Sequence, residues 1–204
     1  MSNGTRHHTH RLATSRLAWA GAGLLLLLAG CEAPRQAGQA PAPTAVRAGP
    51  ATAEALAAAL PASADSFTRG ATVPVRQPME GLEVNYATSN RRGAAFVQVV
   101  RPAQGDAPAA AAGEYTRWLD EVSTGARPGR RLNVVQEFTE PAGPGLRCAA
   151  LEGSYGRQPV QSTFCVGTAG GHVLRLRVTM MRDAAPVADA RAFLLQVARS
   201  LPAR

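Results

Sequence analysis

Lysine and isoleucine are missing from all 204 residues, aromatics make up only 5%, and there are just three cysteines and four histidines. Each shortage narrows the field. All 22 basic residues are arginine, a pattern that fits GC-rich codon usage and needs no binding purpose behind it. Three of the four histidines, His7, His8 and His10, fall within the first ten residues, leaving His172 alone in the rest of the chain. Most histidine-dependent catalysis is thereby removed. No Gly-x-Ser-x-Gly elbow, P-loop, His-Glu-x-x-His pair or EF-hand loop occurs. No apolar run reaches the roughly 18 to 20 residues that a membrane-spanning helix needs. No basic stripe interleaved with aromatics appears either, which argues against nucleic acid as a partner.

What is present begins at the N-terminus. Arg6, Arg11 and Arg16 precede an uncharged stretch from Leu17 to Gly30, which holds five consecutive leucines, and the first acid is Glu32. A charged head, a short apolar middle and small residues before a cut describe a secretory signal peptide. Leu28-Ala29-Gly30-Cys31 closes the stretch and resembles the lipobox of bacterial lipoproteins. That resemblance implies cleavage before Cys31 and lipidation of its sulfur. Several acyl chains then anchor the protein firmly, where one alone would hold only marginally. Glu32 after the cysteine points to the outer membrane, facing the periplasm, since aspartate there is the inner-membrane retention signal.

Removing residues 1–30 leaves 174, enough for one domain with a real core. The formal charge of +8 falls to +5, with 19 arginines against 14 acids. The arginines are scattered, with adjacent pairs only at Arg91-Arg92 and Arg130-Arg131, and a solvated surface accounts for them. Weak attraction to anionic headgroups or cell-wall polymers is the other reading. Residues 31–50 are alanine, proline, glycine and glutamine with almost no large apolar side chain, so they read as a flexible tether. A single domain, 51–204, follows.

Within it, Ala51 to Leu60 predicts a short helix ended by Pro61, and Ser66 to Val75 a short strand pair. Leu82, Val84 and Tyr86 alternate with polar or small residues, the signature of a half-buried strand. Ser89 to Gly93 is a turn and Ala94 to Arg101 the next strand. After a loop at Pro102 to Pro108, a helix runs from Ala109 to about Thr124 with Tyr115, Trp118, Leu119 and Val122 on one stripe. Leu132 to Thr139 returns to strand. After Gly170-Gly171, Val173 to Met181 puts Leu174, Leu176, Val178 and Met180 on one face and Arg175, Arg177 and Thr179 on the other. Asp183 caps a final helix with Pro186 in its first turn and a buried stripe of Val187, Ala190, Leu194, Val197 and Leu201.

Leu146 to Tyr155 and Gln158 to Val166 flank Gly156-Arg157, which suits a two-residue type II′ hairpin. In that register paired residues sum to 313, and Cys148 falls opposite Cys165. Pairs alternate along the ladder, so the cysteines land at a non-hydrogen-bonded position with Cα atoms about 4.5 Å apart, within disulfide reach. The oxidising periplasm permits the bond, and with Cys31 taken by lipid these two thiols remain. A metal pair would lack further ligands, and a redox dithiol would need a C-x-x-C spacing. A structural disulfide is expected.

Strands, helix, a three-strand meander from Leu146 to Met181 and a terminal helix predict an α+β domain, an antiparallel sheet covered by helices. Over Ser66 to Leu201 the order resembles the Mog1/PsbP-like α/β/α sandwich, carried by Leu151-Glu152-Gly153-Ser154-Tyr155, its hairpin partner, the Val173–Met181 strand and the helix with Phe193 and Leu194. That resemblance implies a non-enzymatic docking or accessory role, and neither a cofactor nor a metal site is expected. Glu137 and Glu140, like Glu80 and Glu83, are three apart on strands, on opposite faces, and read as solvent-facing carboxylates. Ser154 has only His172 as a possible histidine base, and no spacing connects them. No catalytic residue is assigned. Two functions remain: docking on an envelope protein, through Tyr115 or Trp118 if these are exposed, or binding a small ligand or the cell wall in a pocket.

Overall fold

The computed structural model describes residues 51–123, 129–182 and 187–202. The leader, Cys31 and the tether lie outside the described residues, as do Asp183 and Pro186. The described residues are built on one eight-stranded antiparallel sheet curled into a half-barrel. In chain order the elements are α1 (Ala53–Ala59), β1 (Ser63–Ala64), β2 (Phe67–Val75), β3 (Gly81–Thr88), β4 (Gly93–Val100), α2 (Ala107–Ser123), β5 (Arg130–Glu140), β6 (Leu146–Tyr155), β7 (Gln158–Ala169), β8 (His172–Met181) and α3 (Ala190–Ser200). The strand order across the sheet is β1-β2-β3-β4-β8-β7-β6-β5.

The α+β expectation is corrected here. Strand makes up 49% of the described residues and helix 24%, so the fold is mainly β and not the α/β/α sandwich it resembled in sequence. The reason lies in how the strands join. β4 pairs with β8 from Gly93↔Met180 to Val100↔Val173, fusing the N-terminal hairpins and the C-terminal meander into one continuous sheet. The sheet is therefore the body of the domain, with short helices laid on it. The expected strand pair at Ser66 to Val75 is likewise one strand, β2, with a register shift between Arg69 and Thr72.

Local chemistry explains the helix starts. Thr52 caps α1 by accepting from the Ala55 N–H, and Asp106 accepts from the Ala109 N–H at the head of α2. Pro108 fits in that first turn because no intrahelical partner is needed there. At α3 the cap is Asp189, not Asp183: its Oδ1 accepts from the N–H groups of Arg191 and Ala192. Both aspartates precede the apolar stripe, so sequence spacing alone could not choose between them. Val187 accordingly sits before the helix, partly buried against the core.

The sheet separates two cores. On one face α1 and α3 cover Val84, Val97, Leu174, Leu176 and Phe67, with Phe193 and Leu194 descending from α3. On the other, α2 lays Tyr115 and Trp118 onto Leu151, Phe164 and Val173. The alternation expected along β8 is present, Leu174, Leu176, Val178 and Met180 all packing in the α1/α3 core.

The β6–β7 hairpin has the expected register, with Tyr155↔Gln158 beside the turn and Cys148↔Cys165 further along. Gly156 takes φ 61° at the first turn position, the left-handed conformation that a type II′ turn requires of glycine. Cys148 and Cys165 form a disulfide, S–S 2.04 Å with Cα atoms 4.0 Å apart, fully buried in the α1/α3 core.

Candidate functional site

The residues most suggestive of catalysis are kept apart by the fold. Ser154 pairs with Pro159 next to the β6–β7 turn, whereas His172 pairs with Ala169 at the far end of β7. Nearly the whole of β7 separates them. Glu137 and Glu140 do point to opposite faces. Glu137, exposed, accepts from the Tyr115 hydroxyl at 2.7 Å and from Arg147 at 3.2 Å. Glu140 corrects the expectation of a solvent-facing carboxylate: it is buried, accepting from the Ala142 N–H at 3.3 Å and from Arg191 at 3.5 Å. The chain turns back at the end of β5, and this carboxylate is held beneath the turn.

Tyr115 and Trp118 are core residues, so they offer no exposed aromatic patch at α2. Trp118 packs on Phe164 with centroids 4.9 Å apart, and Tyr115 on the same ring at 5.4 Å. Arg147 lies over the Tyr115 ring at 3.9 Å. Burial, and then the anionic Glu137 it donates to, push the Tyr115 hydroxyl up to about 12. Because the folded value exceeds the unfolded one of about 10, this contribution to stability is intact below pH 10 and is lost as pH rises towards 12. Tyr115→Phe is expected to flatten the alkaline limb of a stability-against-pH curve measured by denaturant titration; an unchanged limb would contradict it.

Cross-strand pairing also builds a polar row on the α2 face. Glu83 pairs with Gln98, and Gln98 with Arg175. The Gln98 Nε2 donates to Glu83 at 2.6 Å, while Arg175, only 8% exposed, lies over Trp118 at 4.8 Å with its Nε 3.6 Å from Glu114. Burial draws the Arg175 guanidinium below its ordinary range, opposed by Glu114. Its Nε and the Gln98 Oε1 are buried with no hydrogen-bond partner among the described residues. Neither atom is open to solvent, so the row braces α2 and presents no binding surface.

The open polar site lies at the other side of the sheet end. A cleft of about 750 Å³ is bounded by the start of α1, the ends of β2 and β4, and the β7–β8 turn. Arg76, Arg101 and His172 line it together with Glu54 and Glu80. Gly81 forms part of the wall; a Cβ there would overlap the Val99 carbonyl, so only glycine lets β3 pass so close to β4. The Arg101 N–H donates to the Glu80 carbonyl at 2.8 Å and fixes the backbone of the floor. Among the described residues, neither the Arg76 nor the Arg101 guanidinium has a carboxylate within ion-pair distance. The Glu54 carboxyl is held below its usual range by hydrogen bonds from its own N–H and from Thr52, with His172 and Arg101 adding a smaller field. His172 is buried in the wall, with Nδ1 3.2 Å from the Gly170 carbonyl. Glycine-rich turns and dispersed single arginines carry no motif, so this grouping was invisible in the sequence.

No protein-family model matches the chain, and no curated protein matches its sequence significantly. The site must be read on its own chemistry.

Among the described residues no cluster of His, Cys, Asp and Glu is placed to hold a metal ion, and no helix is long and apolar enough to cross a membrane. A second groove, about 450 Å³, runs beside the start of α3 and is lined in part by Val135 and Phe138. Val134 and Val135 are exposed on the edge strand β5, Val135 by 57%, at the register shift between Val134 and Gln136.

Proposed function

We propose that the chain is an envelope lipoprotein, lipidated on Cys31, tethered through residues 31–50 and directed by Glu32 to the periplasmic side of the outer membrane. Its folded domain is a non-catalytic binding module whose cleft takes a small ligand carrying both charges. Arg76 and Arg101, without a carboxylate partner among the described residues and set in one cleft with Glu54 and Glu80, are the observation that carries this reading. Two such guanidinium groups supply charge-assisted donors for a carboxylate or phosphate. The two carboxylates would repel a simple anion but accept an ammonium group, so a zwitterion matches the lining better than either ion alone. The separation of Ser154 from His172 supports the non-catalytic part. Docking on a protein is the second reading, favoured by the exposed Val134 and Val135 on an edge strand, although the irregularity there is the usual device against edge pairing.

Calorimetric titration of the detergent-solubilised chain with a dipeptide, phosphoethanolamine and inorganic phosphate tests the cleft. The two zwitterions are expected to bind more tightly than phosphate, and Arg101→Ala to weaken them by about tenfold. Silence with all three probes, or an indifferent Arg101→Ala, would end the proposal. For the anchor, Cys31→Ser is expected to abolish incorporation of labelled palmitate; a labelled variant would refute lipidation at that residue.

A further inference from the structure

Five of the arginines that look scattered along the chain are collected by the topology at one end of the sheet, opposite the cleft. β4, β8, β7, β6 and β5 are consecutive neighbours. Their ends at this side are the β3–β4 turn with Arg91 and Arg92, Arg182 after β8, the β6–β7 turn with Arg157, and Arg131 at the start of β5. Backbone bonds lock these ends together: the Met181 N–H donates to the Arg92 carbonyl, the Arg182 N–H to that of Pro159, and the Gly156 N–H to that of Gly129. Five strand ends at about 4.8 Å spacing make a rim roughly 19 Å long. All five arginines are exposed.

Among the described residues, the acids near this end are engaged. Glu152 takes Arg182 at 2.7 Å, Asp189 caps α3, and Asp65 accepts from the Asp189 N–H. Among the described residues, Arg91, Arg131 and Arg157 have no carboxylate within ion-pair distance. Arg91 also adopts φ 57°, in the left-handed region where glycine or asparagine is the ordinary occupant, so an arginine is carried there at a backbone cost.

We propose that this rim is a binding surface for a linear, carboxylate-bearing cell-wall polymer; the compartment rests on the lipoprotein reading above. Two features favour a polymer over a lipid leaflet. The strand ends that carry the arginines follow one another along a single end of the sheet and do not spread over one of its faces. The turn tips, Ser89-Asn90-Arg91-Arg92 and Gly156-Arg157, carry no aromatic or aliphatic side chain to enter hydrocarbon.

The test is co-sedimentation of the detergent-solubilised full chain with purified peptidoglycan sacculi at low salt, with lipid labelling read on the same preparations. Wild type is expected to pellet, and about 0.5 M salt to release it. Arg131→Glu and Arg157→Glu are each expected to weaken pelleting by at least roughly fivefold, the scale of losing one basic residue at an anionic surface, to which the charge reversal adds. Arg199→Glu, the same charge change at the exposed C-terminal turn of α3, should leave pelleting unchanged. Wild type that stays in the supernatant, rim variants that pellet like wild type, or an equal loss with Arg199→Glu would each overturn the proposal. Preference for phosphatidylglycerol vesicles over sacculi would overturn it in favour of a leaflet. Unlabelled protein would refute the lipoprotein reading whatever the sacculi bind, so the two failures are distinguishable.

Discussion

Phe193→Ala is expected to cost about 3–5 kcal/mol of folding stability, the range for deleting a fully buried aromatic ring. Phe193 has no solvent exposure and is the ring through which α3 grips the sheet. It meets Phe67 of β2 with centroids 5.0 Å apart and Tyr86 of β3 at 5.2 Å, nearly edge-on. The Tyr86 hydroxyl donates in turn to the Pro61 carbonyl at 2.8 Å, tying the segment after α1 to the same cluster. Truncation would therefore leave a cavity bordered by three elements, none of which can close it alone. Since whole domains are stable by only about 5–15 kcal/mol, the variant should show a large drop in denaturation midpoint with an unchanged slope. A loss below about 1 kcal/mol would mean that α3 does not pack on β2 and β3 as described.

Removing the disulfide has the second-largest expected effect. Cys148 and Cys165 are 17 residues apart, and closing a loop of that length removes about 3 kcal/mol of entropy from the unfolded chain. The folded hairpin is already held by its ladder, so Cys148→Ala with Cys165→Ala should keep native circular dichroism while losing about that much stability. Both cysteines are fully buried, so a reductant should act on the native protein only as fast as the domain opens. Thiol titration of the denatured, unreduced lipidated protein should find no free thiol. Two free thiols, or a double variant as stable as wild type, would remove the bridge from the stability argument.

How far the sequence could be read depended on the range of the interaction. Gly156-Arg157 sets a two-residue turn, the turn sets the register, and the register puts Cys148 opposite Cys165. Every step there is local. The Tyr115 and Trp118 stripe was likewise legible as a helix, because helical spacing is a property of neighbours in the chain. The α3 cap was not: Asp183 and Asp189 have the same chemistry, and what favours Asp189 is where Phe193 and Leu194 must land on the sheet. Glu140 misled for a similar reason, since Arg191, 51 residues away, is part of what receives it.

By itself, then, the amino-acid sequence determined the hairpin and its disulfide, the faces of β8 and the helical stripe of α2, all written in spacings of two to about seventeen residues. Only the tertiary structure decided that β4 joins β8 and makes one mainly-β sheet of two expected halves. It alone gathered Arg76, Arg101 and His172 into one cleft, and Arg91, Arg131 and Arg157 along one rim. The physical reason is that strand pairing between distant segments is chosen by the burial of whole faces. A lone arginine between apolar residues has no local partner to reveal which end of the sheet it will reach.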